Sequence, residues 1–142
     1  MVLNSVNVLL VEDNPADTHL IIDYFKDDKS NFKIDCVADG AQALEYLNQK
    51  GAYKNVSIPD IIILDMNLPK IEGMEVLKII KADDNLNKVP VIIFGTSNDP
   101  IEIKKAYKNH ANCYIVKPLN LDKLEHKLEC IKQFWLNIVT IP

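Results

Sequence analysis

Hydrophobic residues in this chain gather in short runs that are separated by longer amphipathic stretches. Three runs, over 6–11, 60–65 and 89–94, are almost continuously apolar, which is typical of strands buried on both faces of a parallel sheet. The run over 32–37 alternates between apolar and polar residues, as expected of a half-exposed edge strand. A further strand is predicted over 112–116.

The stretches that follow the strands have helical spacing, and most begin with a residue that can cap a helix N-terminus. The predicted caps are Asn14, Asp39, Asp99 and Asn120. Asp17 lies in the first turn of the first helix, which is expected to close at residues 29–31. Asn109 or His110 can take the positive-φ position at the end of the fourth helix.

A strand followed by a helix, repeated five times, predicts an α/β fold with a parallel five-stranded sheet and helices on both faces. The polar second strand fits the edge of a doubly wound, flavodoxin-like (βα)5 fold with strand order 2-1-3-4-5. We expect residues 1–142 to form one domain. In this interpretation 133–142 is an apolar C-terminal extension, and no output domain follows.

The chain of 142 residues is 48% hydrophobic and 25% charged, as in ordinary globular proteins. Its net charge of −4 argues against nucleic acid or an anionic membrane as the main partner. Three widely separated cysteines and the lack of a signal-peptide pattern or a membrane-length apolar stretch indicate a cytoplasmic protein with reduced thiols.

Charged and hydroxyl side chains follow four of the predicted strands at the point where each strand ends. Glu12 and Asp13 follow the first strand, Asp65 ends the third, Thr96 follows the fourth, and Lys117 follows the fifth. Open α/β sheets place their ligands at the C-terminal ends of the strands, where the strand order reverses. These five side chains are therefore expected to converge.

Three carboxylates at one sheet edge repel one another, by on the order of 4 kcal/mol for a pair about 4 Å apart at an effective dielectric near 20. Lys117 supplies one compensating charge, and a hard divalent ion with oxygen ligands would supply two more. We therefore predict a Mg²⁺ site, with Mn²⁺ as the alternative metal. Asp13 and Asp65 would ligate it directly, and Glu12 directly or through water. The backbone carbonyl of Asn67 is a reasonable further ligand.

Such a site favours Asp65 as a phosphoryl acceptor, whose carboxylate would form an acyl phosphate. The metal and Lys117 would hold two phosphoryl oxygens, and Thr96 would donate its hydroxyl to a third. Drawing Thr96 toward the phosphate would vacate space beside the fifth strand, and Tyr114 is the candidate to fill it.

These residues resemble the receiver domains of two-component response regulators over nearly the whole chain. The matching motifs are Glu12-Asp13, Asp65 in Leu-Asp-Met-Asn-Leu-Pro, Gly73, Thr96-Ser97, Tyr114 and Lys117-Pro118. The resemblance implies phosphotransfer from a histidine kinase, dependence on Mg²⁺, a switch through Thr96 and Tyr114, and a cis peptide bond before Pro118. The expected chemistry is that of a phosphoacceptor that loses its own phosphate, without turnover of an external substrate.

Some details are specific to this chain. Gly95, which precedes Thr96, departs from the commonest pattern of the family and is expected to loosen that loop. The segment Asn-Cys-Tyr-Ile-Val-Lys-Pro-Leu-Asn, the long connection over 49–58 and the Phe-Trp tail resemble the small stand-alone regulators found beside phytochrome-like kinases. A phytochrome-like sensor histidine kinase is therefore the expected partner.

The last helix carries apolar residues at spacings of three and four, which form a heptad-like stripe. They are Leu121, Leu124, Leu128, Ile131, Trp135 and Ile138. At 1.5 Å per residue the stripe is about 26 Å long, against about 17–20 Å of sheet to cover. Its end either overhangs and meets a partner or folds back over its own domain. Receiver domains often dimerise through the fourth helix, fifth strand and fifth helix, so the resemblance favours a homodimer.

Two other functions use the same fold. A phosphatase that forms an aspartyl phosphate would need an acid/base Asp two residues after the nucleophile, where this chain has Asn67. A flavin-binding module would need a Ser/Thr/Gly phosphate loop after the first strand, where this chain has Glu12 and Asp13. Both stay as alternatives to the receiver interpretation.

Overall fold

The computed structural model describes residues 6–26 and 32–142. Five parallel strands form one sheet: β1 (Val6–Val11), β2 (Phe32–Val37), β3 (Ile61–Asp65), β4 (Val91–Gly95) and β5 (Cys113–Val116). Their order is β2-β1-β3-β4-β5, which confirms the predicted doubly wound sheet with the polar strand at an edge. The strand order reverses between β1 and β3, and a ligand crevice is expected beyond their C-terminal ends.

Five helices cover the sheet: α1 (Pro15–Lys26), α2 (Gly40–Leu47), α3 (Gly73–Ala82), α4 (Pro100–Lys108) and α5 (Leu121–Ile131). A 3₁₀ turn, Gly51–Tyr53, lies in the long connection before β3, and a π-helical segment, Lys132–Ile138, continues α5. The predicted end of the first helix at 29–31 lies outside the described residues. Among the helices that the structure describes, none is long and apolar enough to cross a membrane.

Side chains of the central strands alternate between two apolar layers, one on each face of the sheet. Leu9 and Ile62 belong to the layer that includes buried residues of α2, α3 and α4. Leu10 and Ile63 belong to the layer that includes buried residues of α1 and α5. Because both layers are enclosed, neither face of these strands needs polar residues, which accounts for their continuous apolar runs.

The predicted N-terminal caps are confirmed. Each cap side chain accepts a hydrogen bond from a backbone N–H in the first turn of its helix, at 2.8–3.0 Å. The four caps are Asn14, Asp39, Asp99 and Asn120. His110, just after α4, has a φ of 70°, as predicted. The caps fix where the helices begin and thereby the length of the loops that leave the C-terminal ends of the strands.

The predicted apolar stripe on the last helix is confirmed only in its middle. Three of its residues are buried, namely Leu124, Leu128 and Ile131. Leu121 and Ile138, at the two ends of the stripe, are 51% and 69% exposed. The α-helical spacing gives way to a π-helical one after Ile131; Trp135 still packs on the same apolar layer, whereas Ile138 does not.

The end of the chain lies against its own domain. Trp135 and Ile141 are partly buried and pack on the apolar layer beneath α1 and α5. Phe134, beside Trp135, is 49% exposed and makes an edge-to-face contact with it at a centroid distance of 5.4 Å. Of the two arrangements considered for the tail, the structure shows the folded-back one, with Phe134 and Ile138 left on the surface.

The peptide bond between Lys117 and Pro118 is trans, because none of the described peptide bonds is cis. The prediction of a cis bond, which came from the family resemblance, is therefore wrong for this structure. A trans bond before proline is the intrinsically favoured isomer by about 0.5–1 kcal/mol, so it needs no particular contact to hold it.

Candidate functional site

The ends of four strands bring the predicted site residues to one edge of the sheet. β1 and β3 pair in register, so Glu12 and Asp65 lie at the ends of neighbouring strands. At the end of β4, the carbonyl of Gly95 accepts a hydrogen bond of 2.8 Å from the backbone N–H of Lys117. Thr96 directly follows Gly95. The structure thus brings together side chains that are more than 100 residues apart in the sequence.

Three carboxylates form the centre of this site. Glu12, Asp13 and Asp65 each offer an oxygen, and these oxygens lie within 4.8 Å of one another. Glu12 and Asp65 are buried, at 3% and 5% exposure, whereas Asp13 is exposed. Asp65 Oδ1 also accepts a hydrogen bond of 3.0 Å from the backbone N–H of Asn67. These three side chains are the ones that the sequence predicted as metal ligands.

The ammonium group of Lys117 lies among the carboxylates. It forms a hydrogen-bonded ion pair with Glu12. Its Nζ atom is 2.9 Å from an oxygen of Asp17 and 3.8 Å from an oxygen of Asp65. The Lys117 side chain is 11% exposed, so water screens these contacts only weakly.

Burial and the neighbouring charges both shift the pKa values of Glu12 and Lys117. Burial raises the pKa of the Glu12 carboxyl from 4.5 to about 7; the neighbouring Asp65 carboxyl adds to the effect, and Lys117 opposes it. Burial by itself would lower the pKa of Lys117, but Asp17 and Glu12 outweigh it and raise that pKa to about 12. The ammonium therefore stays charged at neutral pH, while the carboxylates are left under-compensated.

The donor set fits a divalent cation. Four carboxylates contact or adjoin the site, and Lys117 balances one of their charges. Two like charges about 4–5 Å apart repel by roughly 3–4 kcal/mol at an effective dielectric near 20. An ion of charge two would offset a large part of this repulsion between the carboxylates. Oxygen-only donors suit hard ions such as Mg²⁺ and Mn²⁺.

The loop after β4 carries Thr96 and also contacts Tyr114 of β5. Thr96 is exposed, and its Oγ1 accepts a hydrogen bond of 2.9 Å from the side-chain amide of Asn67. Tyr114 points inward, and its hydroxyl donates to the backbone carbonyl of Ser97 at 2.8 Å. Thr96, one of the two residues predicted as a switch, is therefore the direct neighbour in the chain of Ser97, whose carbonyl binds the other.

Gly95 has a steric role in this arrangement. A Cβ atom at Gly95 would lie 2.0 Å from the hydroxyl oxygen of Tyr114 and 2.5 Å from the ring carbon that bears it. With the Tyr114 ring in its present position, residue 95 has no room for a side chain. The expectation that Gly95 loosens the loop stays a prediction; the contacts show that Gly95 makes room for the tyrosine.

Asp17 is a site residue whose role the sequence did not reveal. It was assigned only to the first turn of α1, where acidic residues are common because they interact well with the helix N-terminus. Its position was nevertheless informative, since α1 begins four residues after β1 ends. A first-turn side chain on such a helix can reach the C-terminal edge of the sheet.

Comparisons with known proteins agree with this arrangement. Residues 8–129 match the family model of the response regulator receiver domain. Response regulator Rcp1 of Synechocystis sp. is 38% identical over 135 residues, which is 95% of this chain and 92% of Rcp1. The phosphorylated cyanobacterial phytochrome response regulator RcpA has a TM-score of 0.94 and 42% identity, covering 98% of this chain and 99% of RcpA. The Mn²⁺-bound form of Rcp1 has a TM-score of 0.92 and 38% identity, covering 96% and 99% of the two chains.

The raised pKa of Glu12 predicts that metal binding depends on pH near neutrality. A protonated carboxyl must lose its proton to bind a metal, so affinity for Mn²⁺ should rise about tenfold between about pH 6 and about pH 8. Calorimetric titration with MnCl₂ at the two pH values measures this. Glu12→Gln should bind more weakly and lose most of the pH dependence, whereas Glu45→Gln, an exposed control on α2, should behave as wild type. Equal wild-type affinities at both pH values would contradict the prediction.

Gly95→Ala should push the Tyr114 ring outward and break its hydrogen bond to Ser97. We expect a loss of about 1 kcal/mol in the free energy of unfolding, the usual worth of one such bond. Burial now raises the pKa of Tyr114, and that pKa should fall toward its ordinary value when the ring becomes exposed. Urea unfolding and NMR titration of ring-labelled tyrosine measure the two effects.

The matched control places the same substitution in a Tyr114→Ala background, where no ring is present to clash. There Gly95→Ala should be neutral or slightly stabilising, because alanine reduces the entropy of the unfolded chain. An equal loss of stability in both backgrounds would show that the glycine serves the backbone and not the tyrosine.

Proposed function

Because the chain belongs to the response regulator receiver family, we propose that it accepts a phosphoryl group from a sensor histidine kinase on Asp65 and passes the signal to a partner protein. The observation that carries this proposal is the position of Asp65. Its buried carboxylate ends the central strand β3, lies within 4.8 Å of two further carboxylates, and has the Lys117 ammonium 3.8 Å away.

In the proposed transfer, a carboxylate oxygen of Asp65 forms a bond to phosphorus while the bond from phosphorus to the kinase histidine breaks. The electron pair remains on the imidazole nitrogen, which takes up a proton from solvent. This reaction depends mainly on positioning and on compensation of charge. Lys117, which stays protonated at neutral pH, would bind a phosphoryl oxygen.

We propose that Mg²⁺ is the metal, held by Glu12, Asp13, Asp65 and the backbone carbonyl of Asn67. When bound, the ion would neutralise charge on the phosphoryl oxygens and on the carboxylates. The carboxylate group of this chain and the Mn²⁺-bound structure of Rcp1 support a divalent metal, and Mn²⁺ would suit the same ligands.

The proposed switch uses Thr96 and Tyr114. The Thr96 hydroxyl accepts from Asn67, which leaves its own proton to donate to an oxygen of a phosphoryl group on Asp65. Movement of Thr96 would change the position of Ser97, whose carbonyl now binds the Tyr114 hydroxyl. The acyl phosphate would be lost by hydrolysis on this chain, so the protein acts as a timed signal without turnover of an external substrate.

The proposed kinase partner is of the phytochrome-like type. Support comes from RcpA, a cyanobacterial phytochrome response regulator that is 42% identical to this chain over nearly its whole length. A cytoplasmic location would suit such a partner and the three free thiols of Cys36, Cys113 and Cys130. The net charge of −4 gives no support to nucleic acid as a target.

We further propose that a homodimer forms through the surface of α4, β5 and α5, extended by the tail. Large apolar side chains are exposed on α4 and on the π-helical segment, including Ile101 at 76% and Ile138 at 69%. Phe134, half exposed beside the partly buried Trp135, adds to this surface. Exposed apolar groups of this kind mark interfaces more often than isolated surface residues do.

The acceptor role predicts that acetyl phosphate with MgCl₂ adds one phosphoryl group to the wild type, seen by intact-mass spectrometry. Asp65→Asn should abolish the addition, because the amide cannot act as the nucleophile. Asp84→Asn, which removes an exposed carboxylate from the loop after α3, should be phosphorylated as the wild type is. No mass gain in the wild type, or an undiminished gain in Asp65→Asn, would refute the assignment.

The dimer proposal predicts a mass of twice 16.1 kDa for the wild type by size-exclusion chromatography with light scattering. Ile138→Asp should shift the protein to a monomer, since it places an unpaired charge in the apolar surface. Ile79→Asp, a control on α3 whose parent residue is 37% exposed, should stay dimeric. A wild type that is monomeric at all concentrations would rule the dimer out.

A further inference from the structure

Lys117 has two close carboxylate partners, and the proposed phosphorylation site is not one of them. Its Nζ atom pairs with Glu12 and lies 2.9 Å from Asp17, while the nearest Asp65 oxygen is 3.8 Å away. The last distance is beyond ordinary hydrogen-bond length. The ammonium is thus held on the β1–α1 side of the site.

The backbone at the start of α1 fixes Asp17 in this position. The side-chain oxygen of Asn14 accepts hydrogen bonds from the N–H groups of Ala16 and Asp17, at 2.9 and 3.2 Å. The N–H of Thr18 donates to the carbonyl of Asn14 at 2.9 Å. Asp17 is therefore anchored by the helix cap, and its side chain, 32% exposed, is presented to Lys117 from a rigid first turn.

Asp17 is separate from the group of carboxylates that could share a metal. That group comprises Glu12, Asp13 and Asp65. The contact of Asp17 with the site is its contact with Lys117. Its effect on the chemistry must therefore pass through the ammonium or act through space.

We propose that Asp17 is a positioning residue that holds Lys117 away from Asp65 in the unphosphorylated protein and competes with the phosphoryl group for the ammonium. This inference rests on the proposed phosphorylation of Asp65. A phosphoryl oxygen on Asp65 needs the ammonium closer than 3.8 Å, and Lys117 reaches it by loosening its contact with Asp17.

The contact between Asp17 and Lys117 should affect the equilibrium between the unphosphorylated and phosphorylated states. The contact between Asp17 and Lys117 stabilises the unphosphorylated state more than the phosphorylated one, so it biases the equilibrium toward the former. Its removal should favour any anion bound at Asp65. A partly exposed ion pair contributes modestly, which corresponds to a shift of about fivefold in an equilibrium constant.

The test measures the dissociation constant of beryllofluoride, a phosphoryl mimic, by calorimetry at saturating MgCl₂. Asp17→Asn should bind it about fivefold more tightly than the wild type. Asp17→Glu, which keeps a carboxylate that can reach Lys117, should return toward the wild-type value. Asp23→Asn, which removes an exposed carboxylate two turns along the same helix, should leave the affinity unchanged. Circular dichroism melting curves confirm that each variant is folded.

Repeating the titrations at high salt distinguishes the direct contact between Asp17 and Lys117 from a long-range effect of removing one negative charge. Titrations repeated at about 0.5 M NaCl, where the Debye length is only a few ångström, should preserve the gain in Asp17→Asn. Loss of the gain at high salt, an unchanged affinity, or weaker binding in Asp17→Asn would each overturn the proposal. A wild type that binds no beryllofluoride with Mg²⁺ would instead refute the proposed function itself.

Discussion

The site depends on an excess of negative charge that the sheet enforces. β1 and β3 end side by side, so Glu12 and Asp65 are buried with carboxylate oxygens within 4.8 Å of each other. Lys117 pairs with Glu12 and lies 3.8 Å from Asp65, and one cation cannot balance both charges. Burial raises the pKa of Glu12, and the neighbouring Asp65 carboxyl adds to the effect. Buried groups that are left under-compensated in a cleft cost stability, and they are retained where a ligand supplies the missing charge. The same edge can therefore attract a divalent cation first and, with that cation bound, an anionic phosphoryl group.

The remainder of the fold keeps this costly arrangement rigid. Two enclosed apolar layers hold the strands in register, and the caps set the loops that carry the polar residues. Gly73, at the start of α3, shows how tightly the elements meet, since a Cβ there would lie 2.4 Å from the carbonyl oxygen of Asp65. No residue with a side chain fits that position without a shift of the β3 end, which carries the proposed acceptor. The close packing at the start of α3 therefore also fixes the position of Asp65.

The sequence was sufficient for the strand order, the caps and the side chains that directly follow strands, because each depends on a local pattern and on the known geometry of parallel sheets. It was not sufficient for the role of Asp17, because an aspartate in a first turn is already accounted for by its favourable interaction with the helix N-terminus. Asp17 reaches Lys117 only because α1 docks against the sheet. The fit of Tyr114 against Gly95 depends on the rotamer of a side chain on the neighbouring strand, which no local pattern encodes. The bond before Pro118 turns on an energy difference of about 1 kcal/mol, too small to be inferred from a family resemblance.

The loop after β4 is where the site and the outer surface meet. Residues 95–97 supply the space that admits Tyr114, the Thr96 hydroxyl that accepts from Asn67, and the carbonyl that holds the tyrosine. Rotation of the Thr96 side chain alone would leave the Ser97 carbonyl in place, so a link between Thr96 and Tyr114 requires the backbone of this loop to move. The inward Tyr114 is tied to the present position of the loop through its hydrogen bond to the Ser97 carbonyl. Close packing of this kind favours discrete arrangements over a gradual change, which would suit the proposed transmission of a phosphorylation signal to α4, β5 and α5.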